Sequence, residues 1–128
     1  MKIKIFIVLL IFSFSSGIYA QKLITKEGKI EIFSQTPLFT IEAVNNKVAS
    51  ILNTQTGDMV VSTLVRSFKF REALVEEHFN ENYMESEKYP KAIFVGKIVN
   101  FHTIDFSKDG EYKAVVVGKL TIHGTTND

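Results

Sequence analysis

Three stretches of this chain impose the same constraint: apolar and polar residues alternate along runs long enough to be strands. In "DMVVSTLV", Met59, Val61, Thr63 and Val65 share one face, while Ser62, Leu64 and then Arg66 take the other. In "KAIFVGKI", Ala92, Phe94, Gly96 and Ile98 fall together. In "YKAVVVGKLTI", Tyr112, Ala114, Val116, Gly118, Leu120 and Ile122 fall together, opposite Lys113, Lys119 and Thr121. A period of two is strand geometry. Two-faced strands at hairpin spacing suit a sheet that curls into a barrel or sandwich with an apolar interior. Gly96 and Gly118 lie on the inward faces, where a missing side chain either permits sharp curvature or leaves room for a ligand. A simply packed core is the competing reading of the same pattern.

The remaining segments fit around these strands. "KLITKEGKIEIFS" reads as two short strands around Gly28, and "TPLFTIEAVNN" as an irregular connection. "KVASILN" and "DMVVSTLVRSF" form a hairpin around "TQTG" closed by Gly57. "KAIFVGKIVNFHTIDF" and "EYKAVVVGKLTIHG" form a second hairpin around "SKDG". That makes six strands. One stretch breaks the pattern: in "REALVEEHFNENYM", Leu74, Val75, His78 and Phe79 recur at helical spacing, with Glu72, Glu76, Glu77 and Glu81 largely opposite. Tyr89-Pro90 stops that helix and starts the next strand.

The N-terminus reads as a leader. Lys2 and Lys4 precede the apolar run Ile5–Phe12, and "SFSSGIYA" ends in the small residue Ala20. That is the order of a bacterial secretory signal, residues 1–20, cleaved after Ala20. The run is shorter than the roughly 20 residues that span a bilayer. The expected product, residues 21–128, is one small domain in the periplasm or outside the cell, without stable membrane insertion. There is no Cys, so neither a disulfide nor a lipid-modified Cys is available. Without Lys2 and Lys4, the chain carries 13 basic and 14 acidic residues, a balance that gives no electrostatic reason to expect nucleic acid or an anionic membrane as a partner.

The acid-rich stretch "EHFNENYMESEKYP" raises the question of chemistry. His78 and Glu81 sit three apart on the helix, but no third metal ligand is fixed. The glutamates specify no acid/base separation. His102, read in a strand near a turn, and His123, at a strand end, have no nucleophile motif beside them. No Gly-rich phosphate loop follows a strand. No metal, no cofactor and no catalysis is the expectation.

The run "SFKFREALVEEHFNENYMESEKYPKAIFVGKI", followed after a spacer by "GKLTIHGTT", resembles the YceI-like family. Its markers here are Glu87-Lys88-Tyr89-Pro90 leading to Ala92-Ile93-Phe94, and the strand end from Gly118 to Thr125. The form "EHFNENYMES" is similar to that of Bacteroidetes members. The resemblance covers about Lys22 to Asn127. It implies an exported protein with a lipocalin-like antiparallel β-barrel that binds a long isoprenoid, quinone or acyl chain as its partner. Residues 77 to 90 would then be a lid or flank and not a reaction centre. The inward-facing residues Met59, Val61, Val65, Phe94, Ile98, Val116, Leu120 and Ile122 are the expected lipid-lining set.

Members of that family continue past this point with further strands, so the chain reads as C-terminally truncated and its barrel as incomplete. Six strands fall short of the roughly eight that enclose one small ligand. An unpaired edge leaves a homodimer open. The alternative to a lipid carrier is therefore a degenerate, non-binding β-domain that acts only by edge pairing with another chain.

Overall fold

The computed structural model describes residues 21–38 and 40–128, so the expected signal peptide lies outside the described residues. The described chain is an antiparallel sheet with one short helix. Its strands are β1 (Lys22–Gln35), β2 (Thr40–Asn53), β3 (Asp58–Leu64), β4 (Lys69–Phe70), β5 (Lys91–Ile98), β6 (Val116–Ile122) and β7 (Thr125–Asn127). They run in the order β1-β2-β3-β5-β6-β7, with β4 also on β2. The sheet does not close: among the described residues, β1 and β7 are its edges. This is the architecture of an incomplete lipocalin-like barrel.

β1 and β2 differ from the sequence expectation. The two short strands around Gly28 are one strand, and the segment read as an irregular connection is the first half of β2. The reason is a pair of opposed bulges. Between Thr25 and Gly28, β1 carries one extra residue against Ser50 and Val48; between Val48 and Asn45, β2 carries one in return. A Cβ on Gly28 would stand 3.0 Å from the Val48 carbonyl oxygen, a tight contact that the glycine avoids where the strands meet. The bulges break strict alternation, which is why the sequence looked interrupted.

The second bulge places Val48, Asn45 and Ala43 together on the inner face, all buried. Asn45 carries its polar groups into that core in a closed ring of hydrogen bonds. Its Nδ2 donates to Thr63 Oγ1 at 2.8 Å, the Thr63 hydroxyl donates to the Lys47 carbonyl at 3.0 Å, and the Lys47 N–H donates to Asn45 Oδ1 at 2.9 Å. β3 parts from β2 at this point. The chain makes a 3₁₀ turn over Val65–Ser67 and returns to β2 as β4, pairing Phe70 with Ala43. Val65 is thus on a turn and not at a strand end, and it is buried.

The helix α1 (Ala73–His78) runs into a π turn, Phe79–Tyr83, so it is shorter than its sequence stripe suggested. Only Val75 and Phe79 of that stripe turn inward, and Leu74 is 62% exposed. The extra residue in the π turn shifts the helical phase. Phe79 then packs its ring 4.7 Å from Phe70 and 6.0 Å from Phe68, which anchors α1 to β4.

The two expected hairpins form. In the first, Asn53 Oδ1 accepts from the N–H groups of Gln55 and Thr56, and Gly57 takes φ 79. In the second, β5 and β6 pair in register but end earlier than expected. Tyr112 and Ala114 belong to the connection over residues 99–115, as does His102, which lies in a 3₁₀ turn, Phe101–Thr103. Asn100 clasps this connection, donating to the Lys113 carbonyl and accepting from the Val115 N–H. A tight turn at His123-Gly124, with φ 52 and 71, then launches the unexpected β7. Two positive φ values in a two-residue loop are the type I′ geometry that suits the twist of a hairpin.

Candidate ligand-binding site

Seven of the eight residues expected to line a lipid site lie on one side of the sheet, and the eighth, Val65, sits on the turn that follows β3. Cross-strand partners share a face, and the register pairs Met59 with Gly96, Val61 with Phe94, Phe94 with Leu120, Gly96 with Gly118 and Ile98 with Val116. The same face on β2 and β1 continues through Leu52, Val48 and Ala43 to Ile30 and Ile32. These residues of the first two strands were not foreseen, because the bulges hide their common side.

The eight differ in burial. Val65 and Ile98 are core residues, 1% and 4% exposed. Met59, Val61, Phe94 and Ile122 are half-buried. Val116 and Leu120, on the side towards the open edge, remain 43% and 42% exposed. β3, β5 and β6 therefore present an apolar panel that passes from closed core to open surface.

The glycines on this panel do not leave a gap. A Cβ on Gly96 would lie 2.6 Å from Phe94 Cζ, and one on Gly118 would lie 2.9 Å from the same atom. The Phe94 ring lies across both glycines and fills the space they vacate. Of the two roles open for them, leaving room for a ligand is thus taken up by Phe94 itself.

A separate cleft of about 610 Å³ opens at the start of β2, beneath α1. Ile41, Phe70 and Val75 form its apolar wall, and Thr40, Glu42, Arg71 and Glu72 its polar rim. None of the eight expected residues lines it. Ile41 and Phe70 nevertheless belong to the inner face of the sheet, through the Ala43–Phe70 and Ser34–Ile41 pairs. The buried residues Ala43 and Asn45 follow Ile41 along that face of β2.

The acid-rich segment is held by specific contacts. Glu76 Oε1 accepts from the Phe70 N–H at 3.1 Å, and the Asn80 amide donates to the Glu76 carbonyl at 3.0 Å. Arg66 reaches Glu87 at 3.2 Å. Glu85, at φ 47, sets its Oε1 3.0 Å from His123 Nε2. The His123 ring stands edge-on to Tyr89 at 5.0 Å, and a Cβ on Gly124 would meet Tyr89 Cε1 at 2.6 Å. Lys88 lies 5.2 Å from the same ring, and its hydrogen bond to Tyr89 raises its pKa. The two sequence markers thus meet in space, the Tyr89-Pro90 turn locking onto the His123-Gly124 hairpin. Their spacing along the chain gave no sign of this.

The histidines are accounted for by neighbours. His78 Nδ1 lies 2.9 Å from the Asn82 amide nitrogen, and His102 stacks on Phe101 at 3.9 Å. Among the described residues, no three His, Asp or Glu side chains are placed to hold a metal ion.

The family model described as "YceI-like domain" matches residues 19–128. No curated protein matches the chain.

Proposed function

This chain belongs to the YceI-like family, and from that premise we propose that it binds a long apolar lipid, of polyisoprenoid, quinone or acyl type, along the inner face of its sheet. The family is one of binding proteins associated with polyisoprenoid and other lipids, and not one known for enzymes. The observation that carries the reading is the β3–β5–β6 panel, where Val116 and Leu120 stay exposed although they face inward. A hydrocarbon tail laid on it removes apolar surface from water, at about 0.8 kcal/mol per CH₂. A long tail then needs few polar contacts. On this reading residues 1–20 act as a secretory signal, cleaved after Ala20, and the lipid is bound in the periplasm or outside the cell.

Protein purified without detergent should carry a co-extracted lipid visible by native mass spectrometry. Leu120→Asp and Val116→Asp should lose it while remaining folded, because both positions are exposed before the lipid covers them. Lys113→Glu, in the β5–β6 connection, should retain it. A wild type that is folded and lipid-free under these conditions refutes the proposal.

A second reading has its own observation. Among the described residues, β1 and β7 are the edge strands of the sheet, and an edge can add a strand from another chain. On that reading the domain is an assembly element, and cross-linking would recover edge-paired copies that carry no lipid.

A further inference from the structure

The outer face of the sheet should be polar where one side is wet, and in one band it is apolar. Ile24 opposes Ile51, Ile51 opposes Val60, and Val60 opposes Val95, so one residue from each of four neighbouring strands forms a row across β1, β2, β3 and β5. Their exposures are 67, 46, 39 and 55%. Val117, diagonal to Val95, extends the row onto β6. At about 4.8 Å per strand, the first four residues span roughly 14 Å. Single exposed aliphatics are ordinary, but a contiguous row marks a contact surface.

Lysines border this row. Lys22 stands two residues before Ile24, Lys97 two after Val95, and Lys119 directly opposite Val95. Two carboxylates are near them. Asp58 faces Lys97 across the strands and accepts from the Thr56 hydroxyl, and Asp128 lies 3.8 Å from Lys119. The wider charge is one-sided. Residues 71–90 hold six acids and two bases, while the rest of the stretch from 21 to 128 holds eleven bases and eight acids. The near-neutral total hides an acidic end and a basic sheet.

We infer that the outer row and its lysines are a docking surface for an anionic lipid bilayer. The aliphatic side chains reach the headgroup boundary and the lysines meet the phosphates, while the six acids of residues 71–90 stand outside the row. A second copy fits less well, because face-to-face packing of one lysine-bordered row on another sets like charges together. The inference goes beyond the cargo proposal and does not depend on it, since it concerns the other side of the sheet.

The test is flotation with vesicles, using protein recovered from the cell envelope. Vesicles of phosphatidylcholine alone are compared with vesicles holding roughly 30 mol% phosphatidylglycerol, the anionic surface that attracts basic residues. The wild type should float with the anionic vesicles only, and should be released at about 1 M salt, where the Debye length is ~3 Å. The double variant Val60→Ser, Val95→Ser should lose flotation. Lys97→Gln and Lys119→Gln should each weaken it roughly fivefold, as expected for one lysine at a charged surface. All these positions are exposed, so circular dichroism should show unchanged folds. Flotation that is equal in wild type and variants would overturn the inference, as would equal flotation with neutral vesicles. A dimer in sedimentation that the Val60/Val95 variant dissolves, without vesicle binding, would also overturn it and assign the row to self-association.

Discussion

The Phe94 ring and the two glycines beneath it form a unit whose parts are expected to be sensitive to change in different ways. Adding a methyl at Gly118 brings it against both the ring and the opposing backbone of β5, which the flexible end of one side chain cannot relieve. Gly118→Ala should therefore destabilise by about 1–3 kcal/mol, the usual range for overpacking, read from urea unfolding midpoints. Phe94→Leu in that background should recover only part of the loss, because the backbone contact remains. A fully neutral Gly118→Ala would mean that the strands are further apart than this geometry states. Asn45 makes the complementary case. Its amide is buried inside a closed ring with Thr63 and Lys47, so Asn45→Ala leaves the Lys47 N–H without its acceptor. The change also removes the buried bond to Thr63, and two lost hydrogen bonds at about 0.5–1.5 kcal/mol each put the expected loss at about 1–3 kcal/mol. The paired change Asn45→Val, Thr63→Val should cost less than the sum of the single changes, which a double-mutant cycle would measure.

Among the elements, the β6–β7 hairpin shows what a sequence motif can stand for. Gly124 holds φ 71 against the Tyr89 ring, whereas His123 holds φ 52 in a position that Asn also favours. His123→Asn should keep stability within about 1 kcal/mol, since it trades a part-exposed Glu85 contact for better turn chemistry. Gly124→Val should cost clearly more, through both strain and collision with Tyr89. Thermal melts of the two variants decide it, and equal melts would show that the turn is not under constraint. The β5–β6 connection offers a pH test. Hydrogen bonds from Ser107 lower the pKa of Asp105, so they help above the ordinary carboxylate range and are lost as pH falls through the lowered value. Ser107→Ala should move the Asp105 titration upward in NMR. The strand faces of β3, β5 and β6 were legible because their alternation is unbroken. β1 and β2 were not, because a bulge in each reverses the face part-way. β7 was missed because a three-residue strand has too few positions to show a period, although His-Gly with Thr after it was a usable turn signal. The cleft beneath α1 was illegible because it depends on β4, two residues whose pairing with Ala43 and Val44 no local pattern announces.

At the scale of the whole molecule, the sheet is broad and the core small. Ala43, Val48, Val65, Phe68 and Ile98 are the fully buried apolar residues among those described, and Val116 and Leu120 remain open on the same face. A domain of this size leaves only a modest excess of burial over conformational entropy. Any cargo that covers the open panel in the folded state alone must therefore register as stability. At a lipid concentration a hundredfold above the dissociation constant, the gain is about 2.7 kcal/mol. For a domain of about 100 residues, each kcal/mol moves the melting temperature by roughly 4–8 °C. Protein stripped of lipid by solvent extraction and refolded should thus melt roughly 10–20 °C below protein purified with its cargo. Adding back a long-chain isoprenoid should restore the difference in the wild type but not in Leu120→Asp. Differential scanning calorimetry at matched protein concentration separates this from edge pairing, whose stabilisation would grow with protein concentration instead. A stripped protein that melts with the purified one, at every lipid concentration, would leave the inner panel without a ligand and favour the edge-pairing reading.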